Sequence, residues 1–247
     1  MREEVLRARE AAIREALKEI RDGMVIGYGS GTTVAQMTAI LRDLILEQNL
    51  NIVFIPSSLQ SADLILSHGL KLASLAEYPE PDLMLDSFDQ VDADGNVIKG
   101  GGGALLREKI LMQASKRVIL IGDHLKLKEK MDFPVPIEIL QYAYPHAKRV
   151  LSLWGLKMEA RVSGGKMGPV ITDNGNILAD VHAGVIDDPE GLNERLKSVA
   201  GVLETGICPK AANVIIIGYP NGRIKHMNIN RKRFQYDYPH DTENMYD

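Results

Sequence analysis

The segment Met24-Val25-Ile26-Gly27-Tyr28-Gly29-Ser30-Gly31-Thr32-Thr33-Val34 is enough to assign a fold class. Met24 to Gly27 is a short apolar run of strand type, and the glycines after it end the strand. Beyond the turn, Val34, Met37, Ile40, Leu41 and Leu44 recur at helical spacing. A buried strand that feeds a helix through a glycine turn is the repeating unit of a parallel sheet. Upstream, Val5, Ala8, Ala12, Ile13, Ala16, Leu17 and Ile20 mark an amphipathic helix that Asp22-Gly23 stops. Downstream, Asn51 to Ile55 reads as a strand closed by Pro56, and Leu59 to Ser67 as a helix capped by Ser57 or Ser58. Lys71 to Leu75, Asp82 to Leu85 and Arg117 to Ile121 read as strands, with a helix starting near Ala104. The expected fold is an α/β sandwich: a parallel sheet with helices on both faces.

Beyond Asp123 the pattern changes. Lys126, Lys128, Glu129 and Lys130 form a charged stretch, and Pro134-Val135-Pro136 starts an extended one. Tyr144 to Gly155 and Glu190 to Val199 read as helices, and Ala160 to Ser163 as a strand. Asp173-Asn174-Gly175-Asn176, between Val170-Ile171 and Ile177-Leu178, predicts a β-hairpin. Residues 132–204 are therefore expected to form a smaller α+β domain. Val214 to Ile217 reads as a strand returning to the first domain, which then comprises 1–131 and 205–229. The tail 230–247 places Arg231, Lys232 and Arg233 beside Phe234, Tyr236 and Tyr238. Such a run can stack on nucleic acid, but Asp237, Asp241 and Glu243 follow, so it reads as a surface tail or subunit contact.

Composition excludes several functions. The 247 residues are 45% hydrophobic and 25% charged, which rules out a disordered or low-complexity chain. Lys+Arg 29 against Asp+Glu 33 gives a net charge of −4, with no general attraction for nucleic acid or an anionic membrane. The single cysteine, Cys208, cannot form an intrachain disulfide, and no apolar run suggests a membrane span. The first residues read as the start of a helix rather than a signal peptide, so the expected location is cytoplasmic. No His/Cys cluster has metal-ligand spacing, and neither a metal nor a cofactor is expected.

Two stretches carry chemistry. In Gly27 to Thr33, free backbone N–H groups at a helix start, with the hydroxyls of Ser30, Thr32 and Thr33, suit a phosphate. A tight turn capped by threonine explains the same residues without a ligand. A dinucleotide fingerprint is excluded because Thr32 stands where its third glycine belongs, and a Walker A loop because no lysine precedes Thr32 or Thr33. The second stretch runs from Asp86 to Lys109. A calcium loop beginning at Gln90 fails because Gly101 occupies the position of its bidentate Glu, so Asp94-Gly95-Asn96 is a turn. Gly100, Gly101, Gly102 and Gly103 each cost ordering entropy, and together they make sense as backbone donors pressed against a ligand. Lys99 precedes them and Glu108 follows in the first turns of a helix, where it either meets the same ligand or is an exposed, ion-paired helix residue.

These residues resemble the ribose-5-phosphate isomerase family of the A type. Gly27 to Thr33 resembles its G-x-G-T-G-S-T loop, Asp86 to Asp92 its D-G-A-D-E-V-D segment, and Asn96 to Ile110 its N-L-I-K-G-G-G-G-A-L-x-R-E-K-I segment. Weaker similarities at Asp123 to Lys126, Pro136 to Ala143, Thr172 to Asp180 and Gly201 to Gly206 extend the match, in order, over about residues 5–227. The resemblance implies a cofactor-free aldose–ketose isomerase acting on a phosphorylated pentose, with a Rossmann-like, mostly parallel α/β domain and a smaller α+β domain, as a homodimer or homotetramer; with the charge balance above, no nucleic acid or membrane partner is expected. It implies Glu108 as general base, with Asp86, Asp89 and Lys99 completing the catalytic group. Arg9, Ser30, Gly31, Thr32, Thr33, Gly100, Gly101, Gly102 and Lys126 would bind substrate.

Some positions depart from the family pattern. Ser30 and Thr32 exchange Thr and Ser but keep a hydroxyl, and Arg9 stands where Lys is common. Ser87-Phe88 replaces Gly-Ala and alters bulk near the sugar, Gln90 replaces Glu, and Leu125 replaces the Ser before Lys126. Two other classes share such a scaffold. A sugar-phosphate sensing module would bind without turnover, and an acyl- or CoA-transferring enzyme would react with CoA thioesters.

Overall fold

The computed structural model describes residues 2–231. The tail reading falls almost wholly on 232–247, outside the described residues. The chain opens with helix α1 (Arg2–Ala16), strand β1 (Val25–Tyr28), α2 (Thr32–Gln48), β2 (Val53–Pro56), α3 (Leu59–Ser67), β3 (Lys71–Leu72) and β4 (Leu83–Ser87). Two short strands, β5 (Gln90–Val91) and β6 (Val97–Ile98), precede α4 (Leu105–Ala114) and β7 (Arg117–Asp123). Next come β8 (Val135–Ile139), α5 (Tyr144–Leu153), β9 (Lys157–Ala160), β10 (Val162–Ser163), β11 (Lys166–Pro169), β12 (Ile177–His182) and α6 (Pro189–Lys197). β13 (Val202–Thr205), β14 (Ile207–Cys208), β15 (Val214–Gly218) and β16 (Ile224–Asn228) complete it.

Seven strands form the main sheet in the order β16-β15-β7-β4-β1-β2-β3. Every neighbouring pair is parallel except β15 and β16. Side chains alternate across the sheet as its pleat requires. Leu83, Leu85, Ile119 and Ile121 enter a core with Ala12 and Ile13 of α1 and Val34 and Met37 of α2. Met84, Val118 and Leu120 face the other way, against Leu111 and Met112 of α4. A Cβ on Gly218 would lie 1.8 Å from the Ala8 carbonyl oxygen, so α1 and β15 touch backbone to backbone. From β1 the chain runs outward through β2 and β3, then returns to build the other half from β4. The junction of β1 and β4 is thus the switch point, where ligands of open α/β sheets bind.

A smaller antiparallel subdomain carries the sheet β13-β8-β12-β9, with a core that includes Ile137, Ile139, Ala147, Leu151, Val181 and Leu196. The three-stranded sheet β14-β6-β5 adjoins the glycine run.

Local differences from the sequence reading have local causes. The turn at Asp173 to Asn176 forms, with Thr172 N–H bonded to Asn176 O at 2.8 Å, and the expected hairpin is short, made by the bridge between Ile171 and Ile177 and by the Leu178 N–H on the Val170 carbonyl at 3.1 Å. Beyond it, Ile177 to His182 pairs with β8 and β9, which bury it on a larger sheet. The strand expected over Ala160 to Ser163 breaks at Arg161 into β9 and β10. Strand β16, unpredicted, closes the sheet edge with mostly exposed residues.

Candidate functional site

The cleft opens at the carboxyl ends of β1 and β4, between α2 and the start of α4. Its walls come from Ser30, Thr32 and Thr33, from Ser87, Phe88 and Asp89, and from Lys99 to Gly102 with Glu108 and Lys126, around a volume of about 240 Å³. Helices α2 and α4 both start here without a side-chain cap, which leaves their first N–H groups for a ligand.

At its floor three ionisable side chains meet. Lys99 Nζ lies 2.8 Å from Asp86 Oδ2 and 3.1 Å from Glu108 Oε2, and it donates to the Ser87 carbonyl at 2.6 Å. Ser30 Oγ donates to Glu108 Oε1 at 2.6 Å. Glu108 is only 4% exposed, Lys99 3% and Asp86 1%, an arrangement tolerable only because the charges pair. Of the two open readings of Glu108, the exposed helix residue is therefore excluded.

The electrostatics follow from the burial. Desolvation, joined by the neighbouring Glu108 carboxylate, pushes Asp86 up to about 7, although Lys99 opposes the shift. With Asp86 protonated, one ammonium faces one carboxylate and the cluster carries no net charge. Burial works against the Lys99 charge, but Asp86 and Glu108 together outweigh it and hold the ammonium above the usual lysine range. Lys126 is pulled below that range by burial, which Asp89 only partly offsets. Its Nζ donates to the Phe88 carbonyl and sits 5.6 Å from the centre of the Phe88 ring.

Glycine is required at two places by contact. A Cβ on Gly29 would fall 1.9 Å from Asp86 Oδ1, and one on Gly101 2.5 Å from Asp89 Oδ1. Asp89 accepts the Gly101 N–H at 2.7 Å, so its carboxylate shapes the glycine run. Arg9 stands behind the phosphate-type loop: it donates to Thr32 Oγ1 at 3.2 Å and to Asp123 Oδ2 at 2.9 Å. The structure thus brings the sequence-derived residues to one place: Gly31 lines the cleft with its neighbours, and Arg9 reaches it through the loop. Gly31 donates its N–H to Gln60 Oε1 at 2.9 Å. Gln60 and Arg161 reach the site without a motif to announce them; their roles depend on contacts across the fold. The calcium-loop rejection also has a structural counterpart. Asp92 Oδ1 accepts the Asp94 and Asn96 N–H groups at 3.0 and 2.9 Å, closing a turn. Among the described residues no group of His, Cys, Asp and Glu is arranged to hold a metal ion, and no helix is long and apolar enough to cross a membrane.

Fold and cleft together define an α/β protein with a charged cleft at the switch point of a parallel sheet. Residues 53–222 match the family ribose 5-phosphate isomerase A (phosphoriboisomerase A). Ribose-5-phosphate isomerase A of Archaeoglobus fulgidus is 47% identical over 201 residues, covering 81% of this chain and 89% of the relative. The human ribose-5-phosphate isomerase is 36% identical over 233 residues, covering 92% and 74%. Among solved structures, ribose 5-phosphate isomerase A from Methanocaldococcus jannaschii superposes with a TM-score of 0.85 at 34% identity, over 90% of this chain and 98% of that one. A D-ribose-5-phosphate isomerase in complex with phospho-erythronic acid superposes with a TM-score of 0.87 at 36% identity, over 91% and 99%. The chain belongs to the ribose 5-phosphate isomerase A family, and is an isomerase of the pentose phosphate pathway.

Proposed function

We propose that the cleft interconverts D-ribose 5-phosphate and D-ribulose 5-phosphate through an enediolate, with Glu108 as the base. The reaction moves one proton between C2 and C1, so one carboxylate that can take and return it suffices. The observation that carries this reading is the meeting of the Glu108 carboxylate and the Lys99 ammonium at 3.1 Å beside backbone donors. Ser30 holds one oxygen of Glu108 and Lys99 the other, which fixes the carboxylate in the cleft. Lys99 and the glycine amides stabilise the oxyanion, where fixed donors act most strongly. Asp86, which exchanges its proton near neutral pH, serves ring opening or moves hydroxyl protons, and Asp89 positions sugar hydroxyls or water. The phosphate rests on Ser30, Gly31, Thr32 and Thr33, with Arg9 behind them, and Gly100 to Gly102 and Lys126 hold the rest of the sugar. The same reading proposes a cytoplasmic homodimer or homotetramer built of the two domains and tail set out above.

Replacing Glu108 tests the base. Glu108→Gln keeps shape and should lower kcat about 10²- to 10⁴-fold while KM for ribose 5-phosphate changes little. Near-wild-type kcat in that variant would overturn the assignment.

A further inference from the structure

We propose that Arg161, held by Asp180, is a positioning residue that aims the Gly102 N–H at the oxygen on which charge develops. This rests on the isomerase reading above. Arg161 lies at the break between β9 and β10, outside the cleft wall. Its own backbone is fixed: its N–H donates to the Leu178 carbonyl at 2.9 Å, and its carbonyl accepts from Val170 at 2.7 Å. Its Nε donates to Asp180 Oδ2 at 2.8 Å, and its NH2 group to Asp180 Oδ1, a two-point grip that sets the guanidinium plane. The remaining NH1 group reaches across to the glycine run, donating to the Gly100 carbonyl at 3.0 Å and the Gly101 carbonyl at 2.8 Å.

Peptide geometry turns these two bonds into a directional device. The chain contains no cis peptide among the described residues, so the C=O and N–H of each unit point in opposite directions. The unit joining Gly100 and Gly101 is held at both ends, by Arg161 at its carbonyl and by Asp89 at its N–H. The next unit sits at the centre of the turn that the Gly103 N–H closes on the Gly100 carbonyl at 2.9 Å, and Arg161 makes the direct hydrogen bond to its carbonyl, that of Gly101. Its N–H, that of Gly102, has no hydrogen-bond partner among the described residues, and Gly102 lines the cleft. A glycine run has no side chains of its own to fix its peptide planes. A cation bonded to the carbonyl oxygen fixes this plane and also polarises the amide, strengthening the N–H as a donor.

Arg161→Met and Asp180→Asn test this, assayed with ribose 5-phosphate and with two inhibitors, phospho-erythronic acid and inorganic phosphate. The carboxylate of phospho-erythronic acid stands in for the enediolate oxygens, whereas phosphate probes only the anion loop. Arg161→Met should lower kcat about 10- to 100-fold, less than the loss of a direct oxyanion donor, with KM within about threefold. Its inhibition constant for phospho-erythronic acid should rise about tenfold and that for phosphate should stay unchanged. Asp180→Asn should move the same quantities the same way by less. Unchanged kcat, or equal weakening of both inhibitors, would overturn the assignment to Arg161. If Arg161→Met fails to fold, Asp180→Asn decides by the same criteria. A wild-type chain inactive on ribose 5-phosphate would instead overturn the isomerase reading itself.

Discussion

Asp86 is buried beside Glu108 and Lys99, and its titration is the most direct test of how that cluster shares charge. Its native pKa of about 7 stands above the ordinary 3.8. Between these values the folded state keeps a proton that the unfolded chain has released. Its contribution to stability is therefore full at low pH and is lost as pH rises through about 7. Urea denaturation at about pH 5 and about pH 8 should show this difference, and Asp86→Asn should shrink it. The kcat/KM profile should likewise inflect near neutrality in the wild type and lose that inflection in the variant. Residue types were readable in advance here, since four glycines, a lysine and a glutamate in one stretch signal a ligand surface. Their hydrogen-bond pairing was not, because Ser30, in the loop after β1, and Asp86, near the end of β4, meet Glu108 and Lys99 only in the folded sheet.

Capping illustrates the scale of single elements. Sequence left Ser57 and Ser58 as alternatives for the start of α3. The structure selects Ser58, whose hydroxyl accepts the Ser61 N–H at 3.0 Å while the Ser61 hydroxyl accepts the Ser58 N–H at 2.9 Å. Ser58→Ala should therefore cost about 1 kcal/mol, measured by urea unfolding. The first turn of α3 also carries Gln60, which meets the Gly31 N–H, so KM should rise modestly as the helix start loosens. Elements whose partners lie close in sequence were read well, the strand–turn–helix at Val25 to Gln48 above all. The hairpin around Asn174 forms but stays short. Its turn is local, but the ladder that captures Ile177 to His182 belongs to strands β8 and β9.

At the scale of the molecule, α1 acts as a cover for part of one sheet face. It lies over β7 and β15, where Ile119, Ile121 and Ile216 are buried. Deleting residues 1–21 should expose this apolar surface and give aggregated protein, read as loss of the soluble peak in gel filtration. Soluble, active protein after the deletion would show that α1 is dispensable for the sheet. By itself the sequence determined the α/β class, the two glycine-rich turns and the kinds of side chain available for chemistry. Those features follow from short-range periodicity and from local backbone demands. Only the tertiary structure decided that Ser30, Asp86, Lys99 and Glu108 would share one buried corner, and that Arg161 would reach it from the smaller sheet. That convergence depends on the strand order β7-β4-β1 and on the docking of β9 and β12 beside the glycine run, both set by packing between segments far apart in the chain.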